Sequence, residues 1–158
     1  MQHPAMPKNI AAAAILAAAM ASAAASLAPQ ARAEGNASKE PMELRRIMQE
    51  LGRNMQAAAD GISREEWVRV AEIAPRIAEH PQPPLGEKKR LLGFVGSEAG
   101  RFRRFDQQTH QAAKSLEQAA RRGDGEAVIA AFASVQNACL ACHQSFRKPF
   151  LEHFYGQR

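Results

Sequence analysis

At 158 residues the chain has room for about one domain. It is 46% hydrophobic, much of that alanine, and only 6% aromatic, a balance that favours helix over sheet and predicts an all-α protein. The formal net charge of +5 is mild. Arg101, Arg103 and Arg104 scatter around a helix as a solvated outer face, so no nucleic-acid partner is expected.

The first 33 residues read as an export signal. Lys8 supplies the positive start, Ile10 to Leu27 an apolar, alanine-rich stretch, and Ala31-Arg32-Ala33 the small residues a signal peptidase requires, which puts cleavage before Glu34. Alanine is only weakly apolar and no second hydrophobic span is evident, so stable membrane insertion is not expected and the mature product, residues 34–158, is read as soluble and periplasmic. Removing Lys8 and Arg32 leaves 19 basic against 16 acidic side chains, a net +3.

Four helices are predicted after the signal. The first covers about Pro41 to Asp60, with Leu44, Met48, Leu51, Met55, Ala58 and Ile62 at three- and four-residue steps and Gly61 as its stop. Ser63 and Glu66 form a capping box for the second, whose inner face is Trp67, Val70, Ile73 or Ala74, and Ile77, with a bend at Pro75. His80-Pro81-Gln82-Pro83-Pro84 cannot continue a helix and reads as a connector. Glycines at 86, 93, 96 and 100 allow only a short helix over Glu87 to Val95. The third main helix starts near Ser97 with the stripe Phe102, Phe105, Thr109, Ala112, Leu116 and Ala120, ends at Gly123, and is followed by a fourth capped by Asp124. One long and two short connections fit an antiparallel four-helix bundle.

The fourth helix carries Cys139-Leu140-Ala141-Cys142-His143. The spacing C-x-x-C-H is the attachment signature of haem c, in which each thiol adds to a vinyl group of the macrocycle and the adjacent imidazole binds the iron. Positions i, i+3 and i+4 share one helix face, so a single planar ring can meet all three, and they extend the stripe Val128, Ala131, Val135, Phe146 toward the bundle interior. A structural disulfide is the usual alternative for two exported cysteines. A thioredoxin-type dithiol needs a βαβ setting that is missing, and a structural zinc site needs four ligands, with only His153 available as the fourth. One covalently bound haem c per chain is the reading, with His143 as the proximal iron ligand.

The run Cys139 to Arg147, with Phe146 and Arg147 completing C-x-x-C-H-x-x-[FY]-R, resembles the cytochrome c-prime family of four-helix bundles. Ile47-Met48 followed by Gly52-Arg53-Asn54-Met55 resembles its cytochrome c-556 branch, and that resemblance implies a methionine of the first helix as sixth iron ligand. It also implies electron transfer with periplasmic or membrane-bound redox proteins and is compatible with a homodimer, since family members are often dimers through their first two helices.

Read from the residues alone, Leu44, Met48, Leu51, Gly52, Met55 and Ala59 fall within roughly 100° of helix arc, and Met42 lies off it. Met48 and Met55 are about 10 Å apart along the axis, so only one can sit over an iron, unless both are core filler and the sixth position is open. Gly52, one turn from Met48, leaves room for a macrocycle, and the resemblance points to Met48 as well. Arg147 and Arg45 are candidates for pairing with the haem propionates, or plain surface arginines. His80, His110 and His153 receive no role.

A haem held by His143 and Met48 has no open coordination position and passes electrons. With Met48 only shielding the iron, the haem is five-coordinate and high-spin, and binds nitric oxide or carbon monoxide. No enzyme is expected, because the inner face of the first helix offers methionine, leucine and glycine but no acid or base.

Overall fold

A computed structural model describes residues 42–156. The expected export signal, residues 1–33, lies outside the described residues. Five α-helices follow one another: α1 (Glu43–Ser63), α2 (Trp67–Ala78), α3 (Leu85–Val95), α4 (Ala99–Arg121) and α5 (Gly125–Tyr155), with a single 3₁₀ turn at Gly96–Glu98. The bundle is an antiparallel four-helix bundle of α1, α2, α4 and α5, and the short α3 sits in the one long connection. Helix α4 packs along both α2 and α5, and α2 along α1, whereas α1 and α5 meet only sparsely.

The main core is built from small and branched side chains. Ala58, Val70, Ala74, Ile77, Ala113, Leu116, Val128 and Val135 are all at 1% exposure or less. Alanine is abundant there because small side chains let helix axes approach closely, so the core fills without many aromatics. A second, smaller core of Met42, Leu91 and Phe154, flanked by Leu44, Phe94, Phe150 and Tyr155, joins the start of α1, α3 and the end of α5. The Glu87 carboxylate on α3 accepts the backbone N–H groups of Glu43 and Leu44 at 2.8 and 2.7 Å. It supplies the negative charge and the acceptors that the N-terminus of α1 lacks locally, since Met42 caps nothing.

Several boundaries differ from expectation for identifiable reasons. Gly61 does not end α1 but lies buried within it, where a Cβ would meet Val70 Cγ2 at 3.0 Å. It permits the close approach of α1 to α2. The capping box does not form: Ser63 Oγ donates back to the Ala59 carbonyl, and Glu66 pairs with Arg69. Helix α2 runs through Pro75 to Ala78, in keeping with Ile77 on its inner face, and α4 starts at Ala99, two residues after Ser97. Asp124 caps α5 as expected, accepting from Ala127 N–H at 3.0 Å, after Gly123 takes the positive φ (+66°) of the turn. The residues after Pro149 are helical to Tyr155, because the second core holds them. Helix α5 is also long and apolar enough to match a membrane span by length and composition, which corrects the expectation that no second such stretch follows the first. Val128, Ala131, Val135 and Ala138 nevertheless point into the core.

The Gly61 contact makes a specific prediction. Gly61→Val should lower the urea-unfolding free energy by about 1–3 kcal/mol through overpacking against Val70, despite better helix propensity. An unchanged midpoint would show that α1 and α2 do not depend on this approach.

Candidate haem-binding site

Cys139, Cys142 and His143 stand on one face of α5, in the middle of its 31 residues. Cys139 packs against the main core, Cys142 is half-buried, and His143 faces outward. The face is therefore turned slightly away from the stripe that fills the core, and the triad sits at the core's edge rather than in the bundle interior. Both cysteines are unpaired thiols, so there is no 139–142 disulfide. Burial pushes both thiols up, Cys142 to about 11 with a smaller push from the Asp106 carboxylate. Reactive dithiols have lowered pKa values, so this environment argues against thioredoxin-type exchange. Partial desolvation, followed by the charge of Arg147, holds the His143 imidazole below its usual pKa and favours the neutral form that binds metal.

The flank after the triad is fixed against α4. Phe146 meets Phe102 and Phe105 edge-on, with ring centroids 5.4 and 6.2 Å apart. Arg101 lies over the rings of Phe105 and Phe146 at 5.5 and 6.0 Å and donates to Ser145 Oγ at 2.9 Å, whose hydroxyl in turn donates to the Ala141 carbonyl. Arg101 is thus not the freely solvated side chain its helix position suggested. Its spacing to Phe105 (i, i+4) was a readable signal, but its contact with α5 was not.

On α1 the expected inner arc is displaced. Ile47, Asn54, Ala58 and Gly61 are the buried residues, while Met48 is 40% exposed and Gly52 is exposed. The physical reason is that α2 covers one side of the apolar arc and leaves the other open. Met55 packs against the main core. Nothing lies within 4 Å of where a Gly52 Cβ would be. Tyr155 Oη accepts the Met42 N–H at 3.0 Å, so α1 and α5 are joined end to end and run antiparallel. Counted from that contact at 1.5 Å per residue, Met48 lies about 9 Å and Met55 about 20 Å along α1, against about 18 Å for His143 along α5. Level favours Met55, while side-chain freedom and the open space at Gly52 favour Met48. Arg45 is not brought to the triad: its guanidinium lies over the Tyr155 ring at 5.2 Å, twelve residues beyond His143. Arg147, one turn past His143, is exposed.

These residues fit a covalently held macrocycle. Two free thiols and an imidazole share one face, and the sparse meeting of α1 with α5 leaves apolar Met48 and the bare backbone of Gly52 uncovered. A family model described as Cytochrome C' matches residues 40–147. The chain belongs to the cytochrome c′ family. It is accordingly a c-type cytochrome, a class that carries covalently bound haem c. No curated protein and no solved structure matches the chain. The family match stops at Arg147, so the last turns of α5 and their aromatic core lie beyond it.

Holding the haem only in the folded state couples attachment to stability. The double variant Cys139→Ala, Cys142→Ala should lose covalent haem and unfold at lower temperature and less cooperatively by circular dichroism. Unfolding as late and as sharply as the haem-loaded protein would place the haem outside the fold's energetics.

Proposed function

We propose that this cytochrome carries one haem, tethered by Cys139 and Cys142 and ligated by His143 and Met48, and that it transfers electrons in the periplasm. The observation that carries the reading is the division of methionines on α1: Met55, nearer His143 in level, is partly buried against the main core, whereas Met48 is exposed beside the uncovered Gly52. Bound there, the haem supplies a one-electron Fe(III)/Fe(II) couple. The two thioethers fix the ring to α5, and the i, i+4 spacing of Cys139 and His143 fixes the imidazole relative to it. The Met48 thioether, soft and neutral, favours ferrous over ferric iron. Leu51, Met55 and the core behind them would exclude water from the bound ring, and the exposed Arg147, one turn past His143, would pair with a propionate. The uncovered α1 residues Met48 and Gly52 provide no proton donor or acceptor, which supports a carrier rather than an enzyme. Export rests on the Lys8 to Ala33 pattern, and the partners are other periplasmic or membrane-bound redox proteins.

Intact mass should equal residues 34–158 plus one haem that resists acid-acetone extraction. The wild-type spectrum should be low-spin in both oxidation states. Met48→Leu, a volume-conserving change costing under about 1.5 kcal/mol, should turn the haem high-spin and open it to carbon monoxide, whereas Met55→Leu should leave the spectrum unchanged. A wild type that is high-spin and takes up carbon monoxide would make the protein a gas binder. A change in Met55→Leu alone would transfer the ligand role to Met55.

A further inference from the structure

Two histidines that the haem assignment does not use converge on one carboxylate, that of Asp106, which also acts on the Cys142 thiol. Asp106 and His110, at i and i+4 on α4, present their side chains to the same side of the helix, and His80 reaches them from the proline-rich connector after α2. His80 Nε2 lies 3.3 Å from Asp106 Oδ1, and His110 Nε2 lies 3.5 Å from Asp106 Oδ2. The two imidazole rings stand 4.9 Å apart, tilted by 46°. The His80 side chain is 8% exposed, the most enclosed of the three.

The hydrogen-bond pattern around His80 decides what the site accepts. Its Nδ1 lies 3.1 Å from the Pro81 carbonyl oxygen, which can only accept, so Nδ1 carries the hydrogen. In the neutral imidazole Nε2 is then a bare lone pair, and it faces a carboxylate oxygen. Two acceptors at 3.3 Å require a cation between them, either a second proton on the ring or a metal ion. A backbone carbonyl holding the far nitrogen is also how metal-binding histidines are fixed in tautomer and orientation. The neighbouring Pro81, Pro83 and Pro84 stiffen the connector that carries the ligand, which lowers the ordering cost of binding.

We infer that His80, Asp106 and His110 form a binding site for one late first-row divalent cation, with zinc as its typical occupant. Two imidazoles and one carboxylate suit zinc, copper or nickel and disfavour the all-oxygen ions magnesium and calcium. The three donor atoms lie within 4.8 Å of one another. Tetrahedral zinc with bonds of about 2.0–2.1 Å separates its ligands by about 3.3 Å; each imidazole nitrogen lies near that distance from a different Asp106 oxygen, so one carboxylate oxygen and the two nitrogens have to draw together around the ion. Three protein ligands leave a fourth position for water. The site draws on none of the proposed haem ligands, although Asp106 lies near enough to Cys142 to act on its thiol, and its test rests on the haem-loaded protein in which those ligands are engaged.

The test uses the haem-loaded protein, in which Cys139, Cys142 and His143 are expected to be engaged. Equilibrium dialysis against Zn²⁺ at pH 7.5, read by elemental analysis, should give one saturable equivalent. Asp106→Asn and His110→Asn should each weaken binding by at least tenfold, while His153→Asn, at the exposed end of α5, should not change it. Zn²⁺ should also raise the melting midpoint of the wild type and not of His110→Asn, a partly exposed position whose replacement the bundle should tolerate. No saturable uptake by the wild type, uptake unaffected by Asp106→Asn and His110→Asn, or loss of binding in His153→Asn would overturn the assignment.

Discussion

A helix face cannot both fill a core and hold a flat ring, and α5 divides its circumference between the two tasks. Val128, Ala131, Val135 and Ala138 pack inward, while Cys139, Cys142 and His143 sit about a residue's turn away at the core's edge. The rest of the architecture follows from this division. Helix α4 has to support α5 along its length, and it does so with alanines in the middle and the Phe102, Phe105 and Phe146 edge contacts beside the triad. Helix α1 has to stand back from α5, and its packing is directed at α2 instead, through the Gly61 to Val70 approach.

Local chemistry was legible from the chain because it is written at short range. C-x-x-C-H fixes three residues on one helix turn whatever surrounds them, the three prolines after His80 break any helix, and Asp124 caps the next one in place. The features that escaped depend on which helix lies next to which. Gly61 looks like a stop until Val70 is placed beside it. Ser63 and Glu66 match a capping box but have closer partners in Ala59 and Arg69. Amphipathic periodicity located the apolar arc of α1 but could not say that α2 would take only one side of it, and so the exposure of Met48 was not readable. Arg45 was a candidate for a haem propionate or else a plain surface arginine, and the ring it lies over belongs to a residue 110 positions away.

The same limit explains the histidines. His80 adjoins prolines and His110 lies in a polar stretch of α4, and neither has a neighbour in sequence that suggests a shared site except Asp106 four residues before His110. Thirty residues and a whole helix separate His80 from its partner, and only the packing of α2 on α4 closes that distance.

The hydrogen bond between the Met42 N–H and Tyr155 Oη has a consequence for the chain's topology. The first and last helices start and finish against each other, sealed by the second core and by Glu87, so the bundle is close to a ring. Domains whose ends meet in this way tolerate circular permutation. A short linker joining the two ends, with new termini opened in the exposed connector at Gln82, would leave all four bundle helices uncut. The order in which they leave the ribosome would change, with the haem-bearing helix third from last rather than last. A permuted chain that still takes up haem would show that the place of the haem motif along the chain is not dictated by the fold.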